Sequence, residues 1–271
     1  MADRITTREA PPVEFAVTSP TPLVVDNTFT PLVLSPARLG ADIVVQVLAD
    51  EGVDTIFGYS GGAILPTYDA VFRYNDENRG ADGSTPMPLI VPANEQGAGF
   101  MASGYARASG KVGVVMVTSG PGATNTVTPV RDCMADSVPI VVICGQVPTH
   151  AIGTDAFQEA PVNSCLGPVA KHTFLVTDPE KLEMTVRTAF EIARTGRPGP
   201  VVIDLPKDVQ NWSGEFVGGG YLAVPGYRQR LHAARDNVLE ESEMAEFYAM
   251  LQASERPLIY AGGGVINGDA T

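Results

Sequence analysis

Residues 113–125 read GVVMVTSGPGATN, and this stretch predicts the fold class of the chain. The first six residues are an apolar run rich in valine, which is typical of a strand buried on both faces. Ser119, Gly120, Pro121 and Gly122 follow as a glycine-rich turn that leads into a helical pattern. A buried strand, a turn and a helix in succession form the repeating unit of a parallel α/β sheet.

Buried-strand patterns alternate with helical patterns on both sides of this stretch. Strands are predicted at residues 55–59, 89–91, 113–118, 140–144, 174–176 and 201–205. Helices are predicted at residues 63–73, 95–109, 123–135 and 180–194, after a first helix that starts at Ser35 and Pro36 and ends at Gly52. This alternation implies right-handed crossovers, so we expect an α/β domain with a doubly wound, parallel six-stranded sheet.

The chain divides into four predicted segments. Residues 1–37 are a proline-containing, flexible N-terminal arm, and residues 38–210 are the doubly wound domain. Residues 211–237 have the composition of a linker, with three consecutive glycines from Gly218. Residues 238–271 start a second α/β domain, with a helix at 238–251, a strand at 257–260 and a glycine turn at 262–264.

Composition excludes several classes of partner. The chain has 31 Asp and Glu against 18 Lys and Arg, so its net charge of −13 repels phosphate backbones and anionic membranes. We therefore expect no nucleic acid and no membrane partner, and no run approaches the roughly 20 apolar residues of a membrane span. Cys133, Cys144 and Cys165 lack the paired spacing of a metal or redox site, so we expect buried thiols and no metal ligands.

Ligands of parallel sheets bind beyond the carboxyl ends of the strands, where several segments stand out. Gly61 and Gly62 permit close approach to a ligand, although a tight strand-to-helix turn explains them equally well. Glu95 starts a helix rich in small residues, where it either complements the helix dipole or, once covered by another chain or element, exchanges a proton with a ligand. His150 and His172 have no visible partner and are interpreted as non-catalytic.

Two further segments follow the third and fourth strands. Residues 119–125 resemble a phosphate cradle at a helix start, but they lack the lysine of a P-loop. Residues 145–159 form a long connection, and connections of this length within compact domains are commonly functional.

Six motifs together resemble acetolactate synthase, a thiamine diphosphate enzyme. They are GYSGGA at 58–63, NEQG at 94–97, TSGPGATN at 118–125, GTDAFQE at 153–159, GRPGPV at 196–201 and PKDVQ at 206–210. The resemblance covers the chain from about residue 38 and implies that residues 38–210 are the pyrimidine-binding domain. It implies condensation of pyruvate with pyruvate or 2-oxobutyrate, with loss of CO2, as the first common step of branched-chain amino-acid biosynthesis.

The resemblance also implies roles for individual residues. Glu95 would be the catalytic glutamate that hydrogen-bonds the aminopyrimidine ring of thiamine diphosphate, with Gln158, Pro121 and Gly62 also near the cofactor. The substrate channel would be lined by Gly62, Ala63, Phe157, Lys171 and Lys207. A structural FAD would contact Ser137, Arg197, Gly262, Gly263 and Gly264. The diphosphate and its Mg2+ would be held by a different domain, whose Gly-Asp-Gly motif does not occur in these residues.

We therefore expect an N-terminal fragment that is inactive alone and whose site requires at least a homodimer. A small regulatory subunit and a bacterial cytoplasm are expected, with a plastid as the alternative compartment. Ser60, Asn94 and the pair Thr149 and His150 depart from the family pattern and leave substrate preference open. A related thiamine diphosphate carboligase or oxidase, or a non-catalytic truncated partner subunit, are the alternative functions.

Overall fold

The computed structural model describes residues 37–236 and 238–268. Its strands are β1 (Arg38–Leu39), β2 (Ile56–Tyr59), β3 (Leu89–Ile90), β4 (Gly113–Val117), β5 (Ile140–Gln146), β6 (His172–Leu175), β7 (Val201–Pro206) and β8 (Ser213–Gly214). Strands β2 to β7 form one parallel sheet in the spatial order β3-β2-β4-β5-β7-β6. The predicted six-stranded parallel sheet is therefore confirmed.

α-Helices alternate with the strands of the sheet and continue after the last of them. They are α1 (Gly40–Asp50), α2 (Leu65–Glu77), α3 (Glu95–Ser109), α4 (Pro121–Thr124), α5 (Val127–Asp136), α6 (Val162–Leu166), α7 (Leu182–Arg194), α8 (Lys207–Asn211), α9 (Tyr227–Asp236), α10 (Glu241–Ala253) and α11 (Gly263–Asn267). Helices α1, α2 and α7 bury one apolar cluster against the sheet, and α3, α5 and α6 bury the other. Alternate side chains of each strand enter opposite clusters, which explains the nearly continuous apolar runs in the sequence.

The first helix begins later than predicted. The expected start at Ser35 and Pro36 lies outside the described residues, as does the predicted arm apart from its last residue. Within them, β1 is extended and pairs antiparallel with β8, and the chain turns helical only at Gly40. The Gly40 N–H donates to the Trp212 carbonyl at 2.7 Å. This pairing keeps residues 38–39 out of the helix.

The helix predicted at 123–135 is two helices, α4 and α5, separated at Asn125 and Thr126. Pro129 has no N–H to donate to the Asn125 carbonyl, and its ring would clash with that carbonyl in a continuous helix. The Thr126 hydroxyl donates to the Ala123 carbonyl at 2.6 Å and closes the short first helix. A single proline therefore decides where this segment breaks.

The segment after residue 210 also differs from the prediction. The linker contains β8 and α9, and the helix predicted at 238–251 is present as α10. The strand predicted at 257–260 is wrong, since Leu258 and Tyr260 are 93% and 99% exposed and no described strand pairs with them. Part of the predicted glycine turn starts α11 instead. The boundaries of the four segments stay a prediction.

None of the helices within the described ranges combines the length and the apolar character that crossing a bilayer requires.

Candidate functional site

The candidate site lies at the carboxyl edge of the sheet, where β2 and β4 lie side by side. After β2 the chain moves to β3 on one side, and after β3 it returns to β4 on the other side, so the strand order reverses at this point. Segments leaving the two strands diverge there and leave a crevice, which is the general ligand-binding position of open α/β sheets. The glycine turns at 60–62 and 119–122 both leave strands at this crevice.

Glu95 is the first residue of α3 and is only 9% exposed. Asn94 acts as the N-cap, because its side-chain oxygen accepts a hydrogen bond from the Gly97 N–H at 2.8 Å. The start of the helix favours a negative charge at this position. Asn125, at the break between α4 and α5, donates to Glu95 Oε2 at 2.9 Å. Within the described residues no hydrogen bond occupies Oε1, so one carboxylate oxygen is held and the other is available.

The turns around Glu95 approach closely because they lack side chains. A β-carbon at Gly122 would lie 2.7 Å from Thr118 Cγ2 and 3.4 Å from Glu95 Oε1. A β-carbon at Gly61 would lie 2.6 Å from the Thr118 side chain. The Thr118 hydroxyl accepts a hydrogen bond from the Ala63 N–H at 3.4 Å. Thr118 thus joins the turn after β2 to the turn after β4, beside the carboxylate.

Tyr68 is a site residue that sequence reasoning missed. It lies on α2, is 4% exposed, and its hydroxyl donates to the Met116 carbonyl on β4 at 2.9 Å. Burial, and then the charge of Glu95, raise the pKa of Tyr68 above its usual range. The tyrosine therefore stays neutral beside the carboxylate. The sequence did contain a signal for it, because Tyr68 falls on the inward face of a predicted helix. A tyrosine hydroxyl buried in this way requires a hydrogen-bond partner.

The long connection after β5 reaches this crevice through Gln158. The carbonyl of Gln158 lies so close to Gly120 that a β-carbon at 120 would be 2.4 Å from it. Gln158 has a φ of +57°, and Gly120 a φ of +56°. Phe157, predicted in the substrate channel, presents its ring to solvent and is 88% exposed. Pro121 follows Gly120 as the first residue of α4.

The remaining residues predicted near the cofactor or the channel separate into two groups. Gly62 is exposed with open space around it, and the adjacent Ala63 is buried. Lys207 directly follows β7, so it lies at the same carboxyl edge as Glu95. Lys171 directly precedes β6 and therefore lies at the opposite, amino edge. The structure does not bring Lys171 to the crevice.

Lys171 instead binds the end of a helix at that amino edge. Its ammonium donates to the carbonyls of Ile192 and Thr195, the latter at 2.6 Å. Burial lowers the pKa of Lys171 to about 8. These contacts stabilise the carboxyl end of α7, where a cation is favourable.

The residues predicted to contact FAD meet at the amino edge. Ser137, Arg197, Gly263 and Gly264 line one open pocket of about 680 Å³, whereas Gly262 is not among its lining residues. Arg197 donates through Nε to the Ser137 hydroxyl at 2.8 Å and through a terminal nitrogen to the carbonyl of residue 135 at 2.8 Å. At these positions the pocket presents backbone, a hydroxyl group and a guanidinium held by hydrogen bonds, and Asp136 also lines it.

The histidines and cysteines take no part in the crevice. His150 is exposed, and burial lowers the pKa of the half-buried His172. Cys133 and Cys144 are buried free thiols, and Cys165 is half-buried. Among the residues that the structure describes, no group of three or more His, Cys, Asp or Glu could hold a metal ion.

Comparison with known proteins agrees with this geometry. Residues 38–165 match the family described as thiamine pyrophosphate enzyme, N-terminal TPP binding domain, thiamine pyrophosphate being another name for thiamine diphosphate. The acetolactate synthase large subunit of Corynebacterium glutamicum is 43% identical over 239 residues, which are 87% of this chain and 35% of that protein. The mitochondrial acetolactate synthase catalytic subunit of Saccharomyces cerevisiae is 44% identical over 230 residues, 84% of this chain and 32% of that protein.

A plant relative gives the same result. The chloroplastic acetolactate synthase of Arabidopsis thaliana is 41% identical over 236 residues, 85% of this chain and 32% of that protein. The chain spans about a third of the length of these relatives. Its matched region contains β2 to β5, Glu95 and the turn at Gly122. Residues 38–165 therefore form an N-terminal domain of the thiamine pyrophosphate enzyme family, and the chain has acetolactate synthases among its relatives.

Proposed function

We propose that this chain supplies the aminopyrimidine side of an acetolactate synthase active site. The reaction would join the two-carbon unit left by decarboxylation of pyruvate to a second pyruvate or to 2-oxobutyrate. The observation that carries the proposal is Glu95, a nearly buried carboxylate at the switch point of the sheet with one oxygen held by Asn125. The identity of 41–44% to relatives named acetolactate synthase supports the choice of reaction.

The residues around Glu95 fit the aminopyrimidine ring of thiamine diphosphate. Glu95 Oε1 makes no hydrogen bond within the described part of the chain and can pair with a ring nitrogen. Gly122 adds no side chain of its own beside this oxygen. Tyr68 and Thr118 close the inner wall and keep water away from the carboxylate. The bound cofactor would supply the carbanion and electron-sink chemistry of decarboxylation.

The chain's own residues then have distinct tasks. Glu95 exchanges a proton with the ring nitrogen that it binds, as a general acid and base. Asn125 holds Oε2 and so fixes the carboxylate rotamer, which leaves Oε1 directed toward the ligand. Asn94 keeps the first turn of α3 in place through its bond to Gly97. The proton donor is thereby held in one geometry before any ligand binds.

Several features of the whole enzyme belong to the same proposal. FAD would bind at the amino-edge pocket through Ser137, Arg197 and the glycines of α11. Mg2+ and the diphosphate would bind residues outside residues 1–271, and a homodimer would complete the site. We place the enzyme in a bacterial cytoplasm or a plastid, with a small regulatory subunit as a further partner. Branched-chain amino-acid biosynthesis is the corresponding pathway.

A chimaera tests the proposal directly. The gene for residues 1–271 is joined to the remaining two thirds of the Corynebacterium glutamicum large subunit, and acetolactate is measured with pyruvate, thiamine diphosphate, Mg2+ and FAD. We expect turnover that Glu95→Gln reduces about a hundredfold or more, the usual contribution of a general acid-base group. The control is Glu77→Gln, a matched substitution of an exposed glutamate on α2, with parental turnover.

Two results would count against the proposal. Parental turnover of Glu95→Gln would remove the proton-exchange role from this residue. A clear preference of the chimaera for glyoxylate over pyruvate would assign the domain to another carboligase. The chain of 271 residues is expected to form no acetolactate by itself under the same conditions.

A further inference from the structure

Gln146, the last residue of β5, holds both ends of the long connection between β5 and α6. Its side-chain oxygen accepts from the Val147 N–H at 2.9 Å, where the connection begins. Its side-chain nitrogen donates to the Ala160 carbonyl at 3.1 Å, where the connection ends. Gln146 is 1% exposed, so no water competes for these bonds. One amide therefore closes the whole 147–160 loop at its base.

Asp204 on the neighbouring strand β7 fixes the orientation of this amide. Asp204 Oδ2 accepts the second N–H of Gln146 at 3.1 Å, and the aspartate is 3% exposed. Its other oxygen, Oδ1, has no hydrogen-bond partner among the described residues. A buried polar atom without a hydrogen bond costs free energy of folding, so such an atom is unusual in a residue with a purely structural role.

The closed loop carries Gln158 to the crevice. Between its ends, the Glu159 carboxylate accepts hydrogen bonds from the N–H groups of Gly153 and Ala156, the latter at 3.0 Å. These bonds hold Gln158 at its positive φ, with its carbonyl against Gly120. The turn that begins at Gly120 continues to the glycine beside Glu95. A continuous set of contacts thus leads from the buried amide to the catalytic carboxylate.

We propose that Gln146, oriented by Asp204, is a positioning residue that holds the 147–160 loop, and with it Gln158, at the crevice. The link to catalysis rests on the function proposed above. The closure of the loop is independent of that function, because it can be measured on the 271-residue chain without any activity. A failure of this proposal is therefore distinguishable from a failure of the proposed reaction.

Hydrogen exchange, measured by mass spectrometry on the 271-residue chain, tests the closure. Gln146→Met keeps the volume of the side chain and removes its hydrogen bonds. Asp204→Leu keeps the branched shape of the second side chain and removes its hydrogen bond, whereas Asp204→Asn retains an oxygen that can accept from Gln146. We expect the Gln146→Met and Asp204→Leu chains to exchange residues 148–160 about tenfold faster, equivalent to ~1.4 kcal/mol. Exchange in the Asp204→Asn chain should stay close to that of the parent.

Strand β4 is the internal reference, because it lies outside the loop and is fully buried. Faster exchange confined to residues 148–160 in Gln146→Met and Asp204→Leu, with rescue in Asp204→Asn, supports the proposal. Parental exchange of the loop in Gln146→Met overturns it. An equal rise in β4 also overturns it, because the amide would then stabilise the whole sheet. Parental exchange in Asp204→Leu overturns the part assigned to Asp204.

Discussion

The buried carboxyl group of Asp204 makes the stability of the domain depend on pH in a direction opposite to that of most carboxylates. Burial raises the pKa of Asp204 from 3.8 to about 7, and a single hydrogen bond from Gln146 opposes this rise only in part. Because the folded-state pKa lies above the unfolded value, the folded state holds its proton more tightly. The stability that this group contributes is complete below pH 3.8 and is lost as the pH rises to about 7.

The magnitude follows from the two pKa values. Their difference of about three corresponds to ~4 kcal/mol over the whole range, at ~1.36 kcal/mol for each pKa unit. Integrated between pH 5 and pH 8, the loss is about 2.5 kcal/mol. No reduction for solvent screening applies, since the side chain is almost completely buried. Asp204→Asn has the shape of the protonated acid and cannot ionise.

We therefore expect Asp204→Asn to gain about 2.5 kcal/mol in unfolding free energy over the parent between pH 5 and pH 8. Urea denaturation of both chains, followed by far-UV circular dichroism at pH 5, 6, 7 and 8, measures the difference. Asp208→Asn is the control, because the exposed Asp208 has a lowered pKa and its contribution changes only at more acidic pH. If unfolding free energy plotted against pH gave parallel curves for the parent and Asp204→Asn, the reasoning would be refuted.

Three further predictions concern the crevice and the helix layer. Gly120→Ala should lower the unfolding free energy by ~2 kcal/mol or more, since the positive φ disfavours alanine and the new carbon would meet the Gln158 carbonyl. Urea denaturation measures this loss. Arg187→Ala should cost ~3–5 kcal/mol in the same assay, because it leaves the buried Glu183 without its ion pair. Tyr68→Phe should cost ~1–2 kcal/mol by leaving a strand carbonyl unpaired, seen as a lower thermal midpoint.

Matched control substitutions test whether these losses of stability come from the contacts named above rather than from any substitution of the same kind. Gly110→Ala also has a positive φ, but open space surrounds the position, so its cost should be smaller than that of Gly120→Ala. Arg79→Ala removes a pair whose two side chains, Arg79 and Asp76, are 51% and 75% exposed, and the expected loss is below ~1 kcal/mol. An Arg187→Ala chain as stable as Arg79→Ala, or equal losses for the two glycine positions, would contradict the physical reasons given. A Tyr68→Phe chain with the same thermal midpoint as the parent would contradict the role given to the tyrosine hydroxyl.

The fold was largely predictable because strands buried on both faces leave an unmistakable apolar run. All six strands of the main sheet were predicted from this pattern, as were the long helices that cover it, whereas the short helix α6 was not predicted. The errors arose where pairing or a single residue overrides periodicity. Residues 38–39 pair with β8 instead of extending α1, and Pro129 divides the predicted helix. The apolar run at 257–260 is not a strand, because a strand requires a neighbour to pair with and the described residues offer none there. The pattern of the run itself gives no information about such a neighbour.

The site was predictable in its location but not in its contacts. The rule that ligands bind at the carboxyl edge selected Glu95 and the glycine turns. Asn125 and Tyr68 were not predicted as site residues, because their partners are distant in the sequence. Asn125 contacts Glu95, 30 positions away, and Tyr68 contacts Met116 on β4, 48 positions away. Gln146 escaped for the same reason, as its partner Asp204 is 58 positions away. Long-range partners of this kind require the sheet order, which local patterns leave open.

The short antiparallel pair β1 and β8 has a consequence for engineering. Arg38 and Gly214 are direct partners across this ribbon, so the chain enters and leaves the parallel sheet at one point. Domains whose ends are adjacent tolerate circular permutation and insertion into other proteins. Residues 38–214 could therefore be transplanted as a cassette between related enzymes, or reconnected with a short linker and opened at an exposed loop, without rearranging the sheet.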